Sequence, residues 1–196
     1  MPVGVSNRHI HLKREHLEAL FGEGYELTPM KELCQPGQYA AKETVYLVGP
    51  KNGIQGVRII VPLRNITQVE IARTDSFSLG IKAPIRESGN IQGSPGCVLV
   101  GPKGTIILDE GVIIAERHIH LSKAQAQKLK LRDKDRVSVI IDGGRSLTFN
   151  NVLVRAGFAH EMEFHLDTDE ANACTINNGE PVEISIDMDN RINLVG

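Results

Sequence analysis

The chain has no tryptophan, and only 4% of its 196 residues are aromatic. Stacking platforms for nucleic-acid bases are therefore poorly supplied. There is no basic excess either. Lys and Arg number 22 against 24 Asp and Glu, a formal charge of -2, which argues against nucleic acid or an anionic membrane as the main partner. Cysteine is scarce: Cys34, Cys97 and Cys174 are odd in number and have no Cys-x-x-Cys spacing, so no disulfide framework is expected. All three read as small buried hydrophobes in a reducing compartment. No apolar run approaches about 18 residues, and the start Met1-Pro2-Val3-Gly4-Val5 lacks the charged and apolar parts of a signal peptide. A soluble, intracellular protein is expected. At 41% hydrophobic, the chain can bury a core as one large or two small domains.

Against these absences stands a repetition. Arg8-His9-Ile10-His11-Leu12 returns letter for letter as Arg117-His118-Ile119-His120-Leu121. In a strand the side-chain period is two, so each pair of histidines shares one face while the isoleucine points the other way. Neutral imidazole ligates zinc at about 2.0–2.1 Å, and a strand-borne His-x-His supplies two such nitrogens without a special loop. A single His-x-His is commonly just a polar strand edge. Packing alone, however, gives no reason to duplicate two titratable side chains with their flanking arginine, so the pair of strings points to metal.

After each string the pattern turns helical. Leu17, Leu20 and Phe21 have helical spacing, and Ser122 with Gln125 forms a capping box opening a short helix through Leu129. Elsewhere short strands are predicted at Val45–Val48, Val57–Pro62, Val98–Val100, Ile106–Leu108, Arg136–Ile141 and Val152–Arg155, separated by Gly-rich turns. The fold class is mainly β, with barrel-like closure. A weaker echo runs in the same order: Val61-Pro62-Leu63-Arg64 before Glu70 and Thr74-Asp75, and Val152-Leu153-Val154-Arg155 before His165 and Thr168-Asp169. Two related domains, 8–116 and 117–196, are the economical reading, with residues 1–7 a strand joining the second.

Each half thus offers three candidate ligands: His9, His11 and Glu70, then His118, His120 and His165. Three protein ligands leave a position open, the arrangement of catalytic zinc. Glu70 by itself could equally be an outward strand carboxylate. His16, on the predicted helix, and His160, in a loop, read as solvated surface side chains. Arg64 by itself can be read as a strand-end surface cation.

Several separated segments resemble one family. Ser6-Asn7-Arg8-His9-Ile10-His11-Leu12, Thr67-Gln68-Val69-Glu70-Ile71-Ala72-Arg73-Thr74-Asp75, Gly93-Ser94-Pro95-Gly96, Glu116-Arg117-His118-Ile119-His120 and His165-Leu166-Asp167-Thr168-Asp169-Glu170-Ala171-Asn172 look like the PduL-type phosphate acyltransferases, the propanediol-utilisation phosphotransacylases. The resemblance covers nearly the whole chain. It implies two β-barrel domains capped by short helices, with a dinuclear metal site, usually zinc, between them. It further implies reversible conversion of acyl-CoA and phosphate to acyl phosphate and CoA, the acyl group being propanoyl or acetyl. By the same resemblance His9, His11 and Glu70 hold one metal and His118, His120 and His165 the other. Arg64 matches the family's catalytic arginine, and Ser6, Lys31, Arg58 and Asn172 match its CoA contacts, with Phe77 near the adenine or a dimer contact. A homodimer is implied. Three nitrogens, or two nitrogens and an oxygen, also admit cobalt or nickel. Many microcompartment members carry an amphipathic extension before the first histidine motif; here that motif starts at residue 6, so free cytoplasmic use is expected, with encapsulation by another route left open. The alternative enzyme is a two-metal hydrolase of thioesters or phosphate esters; the non-catalytic alternative is a binding module with two structural ions.

Overall fold

The computed structural model describes residues 1–185, so the end of the predicted second domain, residues 186–196, lies outside the described residues. In chain order the elements are β1 (Val3–Ser6), β2 (His9–His11), α1 (Arg14–Phe21), β3 (Pro29–Glu32), β4 (Tyr39–Val48), β5 (Gly53–Val61), β6 (Gln68–Glu70), α2 (Arg73–Leu79), β7 (Ile85–Arg86), β8 (Cys97–Val100), β9 (Thr105–Leu108), β10 (Val112–Ala115), β11 (His118–Ser122), α3 (Lys123–Lys128), β12 (Arg136–Ile141), β13 (Leu147–Gly157), β14 (Glu163–Asp167), α4 (Thr168–Cys174) and β15 (Glu183–Ser185). The protein is mainly β, with two curled half-barrel sheets and a few short helices. No helix among the described residues is long and apolar enough to cross a membrane.

Two compact units divide the chain. One comprises Ser6–Glu116; the other joins Met1–Val5 to the chain from Arg117 onward. In the first, the sheet order is β7-β10-β6-β2-β5-β4-β8-β9, with β3 pairing β4. In the second it is β1-β14-β11-β13-β12-β15. Each His-x-His strand occupies the same place in its sheet: β2 lies between antiparallel β6 and parallel β5, and β11 between antiparallel β14 and parallel β13. Chain order repeats too once the inserted β3 is set aside, β2-α1-β4-β5-β6-α2 against β11-α3-β12-β13-β14-α4. The repeated pentapeptide is thus the central strand of a repeated unit.

The apolar member of each string explains why these strands are central. Ile10 and Ile119 are fully buried, as are the following Leu12 and Leu121, each in its own core. The alternation turns one face of each strand to its core and leaves the other face to the histidines. The helix α1 follows because Leu17, Leu20 and Phe21 form one buried stripe. In α3 the predicted capping box is present: Ser122 Oγ accepts from the Gln125 backbone N–H at 3.2 Å and Gln125 Oε1 accepts from Ser122 N–H at 2.8 Å. Cys97 and Cys174 are buried as expected, but Cys34 is exposed, because it falls in the loop between β3 and β4 and contributes to neither core.

Candidate functional site

The third ligand candidates are placed by register. His9 pairs directly with Glu70 across β2 and β6, and His118 pairs directly with His165 across β11 and β14. Opposite residues in a sheet share a face, so each third group stands beside its own two histidines. The result is two triads, His9–His11–Glu70 and His118–His120–His165, whose candidate donor atoms lie within 4.8 Å of one another. Glu70 is buried, which excludes the reading as an outward carboxylate.

The spacing suits a small cation. Donors at about 2.0–2.1 Å around a tetrahedral ion stand roughly 3.3 Å apart. His9 Nε2 is 3.4 Å from Glu70 Oε2, His11 Nε2 is 3.8 Å from Glu70 Oε1, and the Nε2 atoms of His118 and His120 are 3.0 Å apart. His9 Nδ1 lies 2.8 Å from the Asn7 carbonyl; donating its proton there leaves the Nε2 lone pair on the triad. His120 Nδ1 is buried without a hydrogen-bond partner among the described residues, a cost that packing alone leaves unexplained.

Protonation states favour ligation. Burial pushes the His11 imidazole down to about 3, with the charges of His9 and Arg64 acting in the same direction. Burial likewise pushes His120 far below the ordinary histidine value, helped by His118, His165, Arg155 and His160. Both are neutral imidazoles at pH 7. Burial by itself would raise Glu70, but His9, His11, a hydrogen bond from Ser88 and the Arg64 charge outweigh it and hold the carboxyl well below the usual carboxylate range. The first triad therefore presents the Glu70 carboxylate beside the neutral His11 imidazole, and the second presents the neutral His120 imidazole.

Around Glu70 runs a hydrogen-bonded cluster that the sequence reading missed. Gln68 Nε2 donates to Glu70 Oε1 at 2.6 Å, Ser88 Oγ donates to the same oxygen at 2.8 Å, and Arg64 Nη1 donates to Ser88 Oγ at 3.1 Å. Arg64, half-buried, is thereby tied to Glu70 through one hydroxyl. The echo between Arg64 and Arg155 is not residue for residue. Arg155 lies within β13 in register with His120, whereas Arg64 lies past the end of β5, its N–H on the Leu12 carbonyl.

The remaining predicted residues are more scattered. Arg58 pairs in register with His9 and donates to the carbonyls of Ala41 and Lys42. Ser6 is half-buried at the end of β1; Lys31 on β3 and Asn172 on α4 are exposed and take no part in either triad. Phe77 is exposed, with the Arg73 guanidinium 5.0 Å above its ring. Neither leftover histidine is a solvated surface side chain. His16 Nδ1 is 2.8 Å from Thr67 Oγ1, and half-buried His160 packs edge-on to His120 at 4.5 Å, its Nδ1 on the Arg155 carbonyl. The chain reversal at Gly157 brings it there, and a Cβ at that glycine would meet the ring at 2.9 Å.

A family model described as phosphate propanoyltransferase matches residues 2–177. The chain belongs to this family. A phosphate propanoyltransferase of Thermotoga maritima is 57% identical over 93% of this chain and 87% of its own length. One of Lachnoclostridium phytofermentans is 52% identical, covering 94% and 86%, and one of Salmonella typhimurium 51%, covering 91% and 85%. As a phosphate propanoyltransferase family member the chain is an acyltransferase enzyme.

Proposed function

We propose that the protein interconverts acyl-CoA and phosphate with acyl phosphate and CoA, on propanoyl or acetyl groups, using two metal ions per chain. The observation that carries this reading is the paired construction of two sets of three candidate donors; an ion held by three donors would keep a position open for substrate. His9, His11 and Glu70 would hold one ion and His118, His120 and His165 the other. Zinc, or cobalt or nickel at the same donors, would supply Lewis acidity there, lowering the pKa of a thiol and drawing phosphate oxygens.

The chain's own residues account for the rest. The Arg64 guanidinium, held through Ser88 against Glu70, presents a planar cation that fits a phosphate or the oxyanion developing on the thioester carbonyl. Its fixed position means no reorganisation as that charge grows. Lys31 and Arg58 supply cations for CoA phosphates, with Ser6 and Asn172 as further polar contacts. Phosphate attacks the thioester directly, sulfur leaves with the bonding pair, and no protein nucleophile is needed.

The test is thioester formation by purified, unchelated protein given propanoyl phosphate or acetyl phosphate with CoA. Rapid acyl-CoA formation that excess phosphate reverses is expected. Thioester cleavage to free acid, indifferent to phosphate, would instead establish a hydrolase.

A further inference from the structure

The second triad has a carboxylate behind it. Glu163 precedes His165 by two residues on β14, so the two share a face, and Glu163 pairs in register with His120. It is only 8% exposed, and its Oε2 lies 2.5 Å from His165 Nε2. A buried carboxylate is costly unless a donor meets it, and an N–H at His165 Nε2 is placed to be one. If Nε2 carries the proton, His165 has Nδ1 alone to offer as a lone pair.

The neighbouring strand is shaped around this contact. A Cβ at Gly4 on β1 would lie 2.7 Å from Glu163 Oε1 and 2.7 Å from His165 Cδ2. The backbone of β1 closes over the pair and leaves room for it because residue 4 has no side chain.

Charge gives the arrangement a purpose. In the first triad Glu70 brings one negative charge directly, whereas three imidazole donors bring none. Glu163 supplies the missing charge through a ligand. We infer that Glu163 is a positioning residue for His165, fixing its proton on Nε2, leaving Nδ1 as the donor atom and raising the basicity of the ring. This rests on the reading of the second triad as a metal centre.

Zinc titration of the chelated full chain against a chromophoric chelator tests it. Wild type should bind two ions. In Glu163→Ala one of the two should bind about 10- to 100-fold more weakly and the other as before. Glu163→Gln, isosteric and still able to accept the N–H but uncharged, should fall between. Gly4→Ala, which crowds the pair, should weaken the same single ion. Thermal melting of the zinc-free proteins separates this from a packing defect: the zinc-induced rise should shrink while the zinc-free midpoint holds. Two ions bound at wild-type affinity by Glu163→Ala, or an equal loss at both sites, overturns the inference and leaves the two-metal reading standing. A wild type that binds no zinc overturns both.

Discussion

Arg64 and the histidines of β11 make separable contributions, and single substitutions distinguish them. Arg64 reaches Glu70 through Ser88 and is not itself a donor to an ion. Arg64→Ala should therefore lower turnover by about a hundredfold or more with metal content unchanged; near-normal activity would remove its catalytic role. Replacing His118 and His120 together by Ala should lower bound metal by one ion per chain, measured by elemental analysis, because the two nitrogens 3.0 Å apart are two of three donors. Cysteine chemistry gives a third check. Cys34 is exposed, while burial pushes the Cys97 thiol up to about 12 and Cys174 is also buried. A thiol reagent at pH 8 should modify one cysteine per native chain and all three after unfolding.

Among elements, the flanking arginines of the repeat hold the ligand-bearing strands together. Arg8 Nε lies 2.9 Å from both carboxylate oxygens of Asp75, and Arg117 Nη1 lies 2.7 Å from Glu170. Both acids are the third residue of the helix that follows the strand carrying the third ligand, α2 after β6 and α4 after β14. Each also accepts from the backbone N–H at the start of its helix, Asp75 from Ala72 and Glu170 from Asp167. Asp75 is the more buried, at 6% side-chain exposure against 22% for Glu170. Asp75→Ala should therefore cost about 2–4 kcal/mol in denaturant unfolding, and Glu170→Ala less. The identical strings and the Ser122 capping box were legible in the sequence because they are local patterns. These staples were not, since their partners lie 67 and 53 residues away. The short exposed strands β3 and β7 carry no apolar alternation to read, and Glu70 and His165, offered as candidates by the weaker echo, drew their weight from the family resemblance. His160 and Glu163 were invisible for a further reason: their places depend on Gly157 and Gly4 leaving space.

For the molecule as a whole, each unit has its own apolar core and its own triad, so on the proposed reading metal binding and folding would be linked twice in one chain. Removing metal should lower the melting temperature, and the loss should depend on pH. In the folded chain His11 takes up a proton only near pH 3, because burial opposes its charge, whereas an unfolded chain does so near the ordinary histidine value of about 6.5. Between those values the unfolded state binds more protons, so stability rises with pH across the window. The depressed Glu70 acts in the same direction at the acidic end, where its protonation in the unfolded chain comes first. The chelated protein should thus be most stable above about pH 6.5 and lose stability steadily as pH falls toward 3. Melting curves of chelated and zinc-loaded protein at pH 8 and pH 5 check this. The expected result is a zinc-dependent rise at pH 8 and a lower chelated midpoint at pH 5 than at pH 8. A chelated midpoint flat across that range would mean that His11 and His120 are not held neutral by burial, and the preorganised triad would lose its physical basis.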